Sequence, residues 1–289
     1  MTLRRIGLAA AAPVMVALAA CGSVKGGAET STSPVTSPVG STSSAVPTQA
    51  TVPASGAAGR TSAVPVAAGT RADKVFDRMA AATMSVTSLH VTSTISGALT
   101  IRSSGNEKLA KGKPVAFDLT ATAGGSAPHR LILVNRKFYA KVPASATKSG
   151  RPYLLLSTHS SNPRIRKLAS AFAASDAGSS PAAYSVIAKA ASKVTDRGPA
   201  TVAGVATEHY SVVVIPAKLP RDFPNRALLA RSGITSIPVE LYVDRQARPV
   251  RVTEKLTVQG HAVAVVATFG NYNAPVSISA PPASQVTTG

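Results

Sequence analysis

IPVELYVDRQARPVRVTEKLTVQGHAVAVVATFGNY, residues 237–272, reads as three strands. Runs rich in β-branched and aromatic residues are parted by two turn-type breaks, Asp244-Arg245-Gln246-Ala247 and Gln259-Gly260. Strands that succeed one another with no helix between them pair antiparallel, because a parallel connection needs a crossover of roughly a dozen residues or more. The stretch therefore places the chain among antiparallel sheets and outside the alternating β-α-β folds.

Upstream, TVAGVATEHYSVVVIP (201–216) adds two β-rich runs about a Gly-centred turn, and FPNRALLARSG (223–233) a short helix ending at Gly233. PAAYSVIAKAASK (181–193) opens on a proline suited to a first helical turn and carries an apolar stripe. PRIRKLASAFAASD (163–176) sets Ile165, Leu168, Ala169 and Phe172 at i, i+3, i+4, i+7, with Arg164, Arg166 and Lys167 beside them. Both segments are predicted as helices crossing one side of the sheet. The basic-flanked face of the second has two readings open to it, packing on the sheet or touching an anionic membrane.

The N-terminal half returns to period two. HRLILVNRKFYAKV (129–142) is a hairpin broken near Asn135-Arg136-Lys137, and KPVAFDLTAT (113–122) alternates Val115, Phe117, Leu119 and Ala121. SLHVTSTISGALTI (88–101) alternates Leu89, Val91, Ser93 and Ile95, and ADKVFDRMAAATM (72–84) presents Val75, Phe76, Met79 and Ala80 on one helical face. The tail NAPVSISAPP closes the domain. The predicted architecture is α+β, a long curved antiparallel sheet with helices gathered on one face.

The first 70 residues are of another kind. Arg4 and Arg5 precede an apolar run from Ile6 to Ala20, shorter than the roughly 20 residues a membrane span needs. Leu18-Ala19-Ala20-Cys21 then holds the chain's single cysteine, in a sequence that resembles a bacterial lipobox. The lipobox resemblance implies cleavage after residue 20, a diacylglycerol on the Cys21 thiol and a lipid anchor on the extracytoplasmic face of the cell membrane. No second cysteine exists for an intrachain disulfide. Residues 22–70 are Ser, Thr, Pro, Ala, Val and Gly with three charges and no aromatic residue. Such a composition buries too little apolar surface to offset its ordering entropy and is expected to form an extended tether. The expected organisation is a signal peptide over 1–20, a lipidated cysteine and linker over 21–70, and one domain over 71–289.

From residue 71 onward there are 27 basic residues against 11 acidic, within a net charge of +19 for the whole chain. Such an excess either draws the domain to anionic surfaces or merely keeps it soluble. Nucleic acid is excluded as a partner, since the basic residues are scattered and no zinc-finger, RNP or helix-turn-helix pattern occurs.

Three stretches carry a family resemblance: TVAGVATEHYSV (201–212), VELYVDRQARPVRV (239–252) and ATFGNYNAPVSISAPPASQV (267–286). Together with the order of helix, meander, central helices and strands, they resemble actinobacterial lipoproteins of the LppX/LprA/LprF/LprG type. These are similar in turn to the lipoprotein carrier LolA and its partner LolB. The resemblance covers about residues 72–286 and implies an unclosed half β-barrel around an apolar cavity, with helices covering the concave face as a lid. It also implies a lipid or acylated glycolipid as ligand, carried or presented near the envelope by a monomer, and it brings no catalytic residues. Candidate cavity residues on the apolar positions above are Ile95, Phe117, Leu119, Phe172 and Ala264, with Ala121 as a further inward strand position. Alanine and valine abound while aromatics make up 4%, so small inward side chains are expected to leave room for acyl chains.

Reactive chemistry is sparse. His90, His129, His159, His209 and His261 form no metal-type pair, and no cofactor fingerprint is present. Ser145-Ala146-Thr147-Lys148 fits S-x-x-K, but it overlaps Lys148-Ser149-Gly150 in one loop, where the penicillin-binding signatures need separate elements. No spaced carboxylate pair suggests acid–base work. The sequence thus predicts a non-enzyme with no cofactor. Two readings remain, a lipid carrier and an envelope protein that binds a protein partner or an anionic wall polymer on the same scaffold.

Overall fold

In the computed structural model the first helix, α1 (Val75–Met84), forms because its apolar residues return at helical spacing: Val75, Phe76, Met79 and Thr83 all face inward and are buried. Residues 74–288 are described, apart from 98–99, 125, 144–148, 164, 167–168, 170–180, 222, 224–225 and 259. The proposed signal peptide, Cys21, the linker, Phe172 and the S-x-x-K serine and lysine lie outside the described residues.

Twelve strands make one sheet: β1 (Ser88–Ser96), β2 (Ile101–Ala110), β3 (Lys113–Ala123), β4 (His129–Val134), β5 (Lys137–Lys141), β6 (Tyr153–Leu156), β7 (Ala191–Val202), β8 (Val205–Val214), β9 (Ile237–Val243), β10 (Pro249–Val258), β11 (His261–Gly270) and β12 (Val286–Thr288). Their order is β12-β6-β5-β4-β3-β2-β1-β11-β10-β9-β8-β7. All neighbours are antiparallel except β12 and β6, which run parallel. The two edges, β12 and β7, do not meet, so the sheet is an unclosed half-barrel. Bulges bend it where register shifts occur, in β2 against β3, in β10 against β9 and twice in β7 against β8. Two further α-helices are described, α2 (Pro181–Ala190) and α3 (Arg226–Arg231), and α1 packs against α2. Pro163, Ile165, Arg166 and Ala169 are helical too, and Ile165 and Ala169 are buried in the main core.

One cluster joins α1, α2 and the inner face of the strands. A second, of Ile132, Tyr139 and Tyr153, lies on the other face of β4–β6 and is covered by Ile278 and Val286 of the tail.

The β9–β10 turn shows how local chemistry fixes the register. Asp244 Oδ1 accepts the backbone N–H groups of Gln246 and Arg248, each at 2.9 Å, and Oδ2 accepts Arg248 Nε at 2.8 Å. The Arg248 guanidinium lies 4.5 Å from the Tyr272 ring centroid, and the Tyr272 hydroxyl donates to the Pro249 carbonyl. Two of the three resemblance stretches thus meet at one corner. Asp244→Ala strands two N–H groups at once and should cost about 2 kcal/mol. It should appear as a lower denaturant midpoint with an unchanged slope.

The structure adds strands that the sequence does not announce and corrects two expectations. IRSSGNEKLA carries no strand prediction, yet it is β2, held between β1 and β3 over residues 101–108. Strand β7 begins at Ala191, where a helix was expected to run to residue 193, and β6 and β12 are additional. Val115 is 47% exposed, because the register shift between Lys108 and Leu109 breaks the alternation there and Ala116 is buried instead.

Candidate functional site: the inner face of the half-barrel

The inner face is valine-rich. β8, β9 and β10 send Val212, Val214, Val239, Leu241 and Val252 toward Phe76 and Met79 of α1 and Tyr184 and Ile187 of α2. These nine residues enclose a void in which about 10 Å³ is open to the centre of a water molecule, roughly room for one. At this place the small side chains do not leave an acyl-sized cavity, because the helix pair settles directly on them.

Polar groups hold the helix layer at its margin. Arg78 of α1 donates through Nη2 to Tyr210 Oη at 3.0 Å and to Glu208 Oε2 at 3.2 Å, and the Tyr210 hydroxyl donates to the same Glu208 oxygen at 2.7 Å. Burial and then the Glu208 hydrogen bond push the Tyr210 hydroxyl up to about 12. On α2, burial first and the Glu107 carboxylate second push Tyr184 up to about 12 as well. Both hydroxyls stay protonated donors at neutral pH. The Arg78–Glu208 pair is about a third exposed on either side. It therefore contributes at most about 1 kcal/mol, a clasp rather than a weld.

Glu254 is different. It is 2% exposed on the inner face of β10, and its Oε1 has no hydrogen-bond partner. Its backbone neighbours across the sheet are Val239 and Val265. Burial holds its carboxyl well above the usual range. Sequence reasoning missed this residue, although its signal was present: period two places it in line with Val250, Val252, Leu256 and Val258, all of which are buried.

Of the residues chosen from sequence, Ile95, Phe117 and Leu119 lie in the main buried cluster, and Ala121 is buried too. None of the four lines the void beneath α1 and α2. Ala264 is not inward. The tight turn that pairs Val258 with His261 gives Val263, Ala267 and Phe269 to the inner face and puts Ala264 on the outer one, opposite Ser96 and Lys255.

On the outer face, His209 Nε2 and Glu240 Oε2 lie 2.6 Å apart, Ser211 Oγ donates to Glu240 Oε1 at 3.1 Å, and the His209 ring stacks on Tyr242 at 4.2 Å. The serine proton is directed to the carboxylate, and the imidazole sits beyond it. In a nucleophilic triad the imidazole must lie between the two. Among the described residues no three His, Cys, Asp or Glu side chains gather as a metal site, and no helix is long and apolar enough to cross a membrane.

No protein-family model matches the chain, and no curated protein matches its sequence. Solved structures do. The lipoprotein LppX of Mycobacterium tuberculosis superposes with a TM-score of 0.50 at 12% identity, over 73% of this chain and 99% of that one. LprF of Mycobacterium bovis gives 0.46 at 16% identity, over 74% and 98%. A LolA-superfamily protein of Nitrosomonas europaea gives 0.27 at 8%, over 73% and 94%. The likeness to LppX is one of fold, and the half-barrel is of the LppX type that the sequence motifs predict.

Proposed function

We propose that this chain is an envelope lipoprotein, anchored through Cys21 and tethered by residues 21–70, that binds a lipid or acylated glycolipid and carries or presents it. The acyl chains would enter between the helix pair and the inner face of the half-barrel. The supporting observation is the apolar layer between α1, α2 and β8–β10, closed at its rim by the part-exposed Arg78 clasp. In this reading the structure is the closed form, and the ligand stabilises an open one by its differential affinity. Each methylene buried favours the open form by about 0.8 kcal/mol, so one long chain outweighs the clasp. A second reading has its own support. The void holds about one water, as expected of a filled scaffold that meets a protein partner or an anionic wall polymer with its outer surface.

Two linked measurements separate them. Wild-type chain should pellet with membranes, and Cys21→Ala should leave the pellet or accumulate uncleaved. Mature-length Cys21→Ala that stays in the pellet through a high-salt wash would remove the anchor. The released Cys21→Ala chain should carry a species in native mass spectra that organic extraction removes. Val239→Phe, which fills the void, should lower its occupancy severalfold with an unchanged circular-dichroism spectrum. A chain that is empty as isolated and takes up nothing from vesicles would leave the partner-binding reading.

A further inference from the structure

The inner face contains one group that its packing does not explain. Three side chains on β10, Val252, Leu256 and Val258, face inward beside Glu254, and the two strands on either side bring Val239 and Val265 against it. A leucine or valine would suit that position better, since a buried polar group without a partner costs about 1–3 kcal/mol. Three arginine Nε atoms are buried and unpartnered too, but Arg78, Arg226 and Arg251 are themselves only partly buried, whereas Glu254 is enclosed. Glu254 also adjoins the void: Val239, its cross-strand partner, and Val252, the preceding inward residue on its own strand, both line it.

We infer that Glu254 is a specificity-determining residue of the inner face, whose free carboxyl oxygen accepts a hydrogen bond from a hydroxyl on a long-chain amphiphile. The inference rests on the lipid-binding reading and names the class of lipid within it. When the helix pair lifts and an acyl chain lies along the valine wall, an all-hydrocarbon or ether-linked segment leaves Oε1 as it stands. A segment bearing a hydroxyl satisfies Oε1 and its own proton in one bond. Sites with a buried hydrogen-bonding group reject ligands that lack the complement, because the protein group is then left unpaired. An ammonium head would instead require a buried ion pair, with two charges to desolvate.

The test uses the full chain carrying Cys21→Ala and an equimolar mixture of cetyl alcohol and cetyl methyl ether, which share a chain and differ in the donor hydrogen. Native mass spectrometry reads the ratio retained. The chain should hold the alcohol over the ether by about tenfold, the ratio that corresponds to about 1.4 kcal/mol. Glu254→Leu should bring the ratio close to one while total occupancy persists, and Glu254→Met, unbranched and of similar length, should do the same if the leucine variant fails to fold. A ratio near one in the parent chain, or an unchanged preference in both variants, overturns the role of Glu254 and leaves lipid binding standing. Uptake of neither probe by any of these chains overturns both.

Discussion

Gly105→Ala should destabilise the fold by about 3 kcal/mol or more, at or beyond the upper end of ordinary overpacking penalties. The sign is what makes the test sharp. In a strand interior glycine is the weaker residue, and replacing it with alanine ordinarily gains about 0.4–1 kcal/mol by restricting the unfolded chain. Here a Cβ on Gly105 would stand 2.0 Å from the Asp118 carbonyl oxygen, 2.8 Å from Leu119 Cα and 2.8 Å from Leu119 Cδ2. The first two are backbone atoms, and a Cβ has no rotamer through which to escape. β2 and β3 must therefore move apart at Gly105↔Leu119, near the middle of their ladder. Chemical denaturation of the variant beside the parent reads the loss, and a midpoint at or above the parent's would show that the two strands do not approach so closely. Gly204, whose φ is +81° and whose Cβ position is open, supplies the contrast. Alanine there meets only backbone strain, of about 1–2 kcal/mol.

The same residue shows why part of the fold was hidden in the sequence. β2 faces inward with Ile101, Ser103, Gly105, Glu107 and Leu109, a row with too few apolar side chains to announce a strand. Its conformation comes from β1 and β3, which flank it and supply both ladders. β7 is similar: Ala191–Val202 is polar along most of its length and gains its place from β8 on one side only. The hairpins were legible because their turns are local chemistry. Asn135 and Arg136 both take positive φ, as do Ala203 and Gly204, and Asp244 closes its own turn. Facing was legible only where one face was polar. His261–Gly270 is apolar on both sides, so alternation could not say whether Val263 or Ala264 points inward; the turn at Gly260 decides it. The helix layer was legible in α1 and α2 but not its closeness to the sheet, which depends on how four valines and two helices pack together in space.

Glu254→Leu should make the domain more stable, by about 2 kcal/mol in acid, and the gain should grow with pH. The acid-side gain is the removal of a buried carboxyl group whose Oε1 has no partner. The pH dependence follows from protons. Burial raises the folded-state pKa of Glu254 well above the ordinary carboxylate value, while the unfolded chain keeps that value, about 4.3. Below about pH 4.3 both states hold the proton and the group adds no slope. Between the unfolded and the folded pKa the native state keeps the proton and the unfolded state has released it. Stability then falls as pH rises, by about 1.4 kcal/mol per pH unit for this one group. Above the folded pKa both states are ionised and the slope vanishes again. Leucine removes the group, so the difference between variant and parent should widen across that window and then level off. Glu254→Gln separates the two parts, because an amide keeps a buried polar group but cannot titrate: it should abolish the widening and retain much of the acid-side penalty. Denaturant midpoints of the three chains from acid to neutral pH measure all of this. A parent–leucine difference that stays constant with pH would mean that Glu254 ionises as readily in the folded chain as in the unfolded one, and so is not enclosed by its valine neighbours.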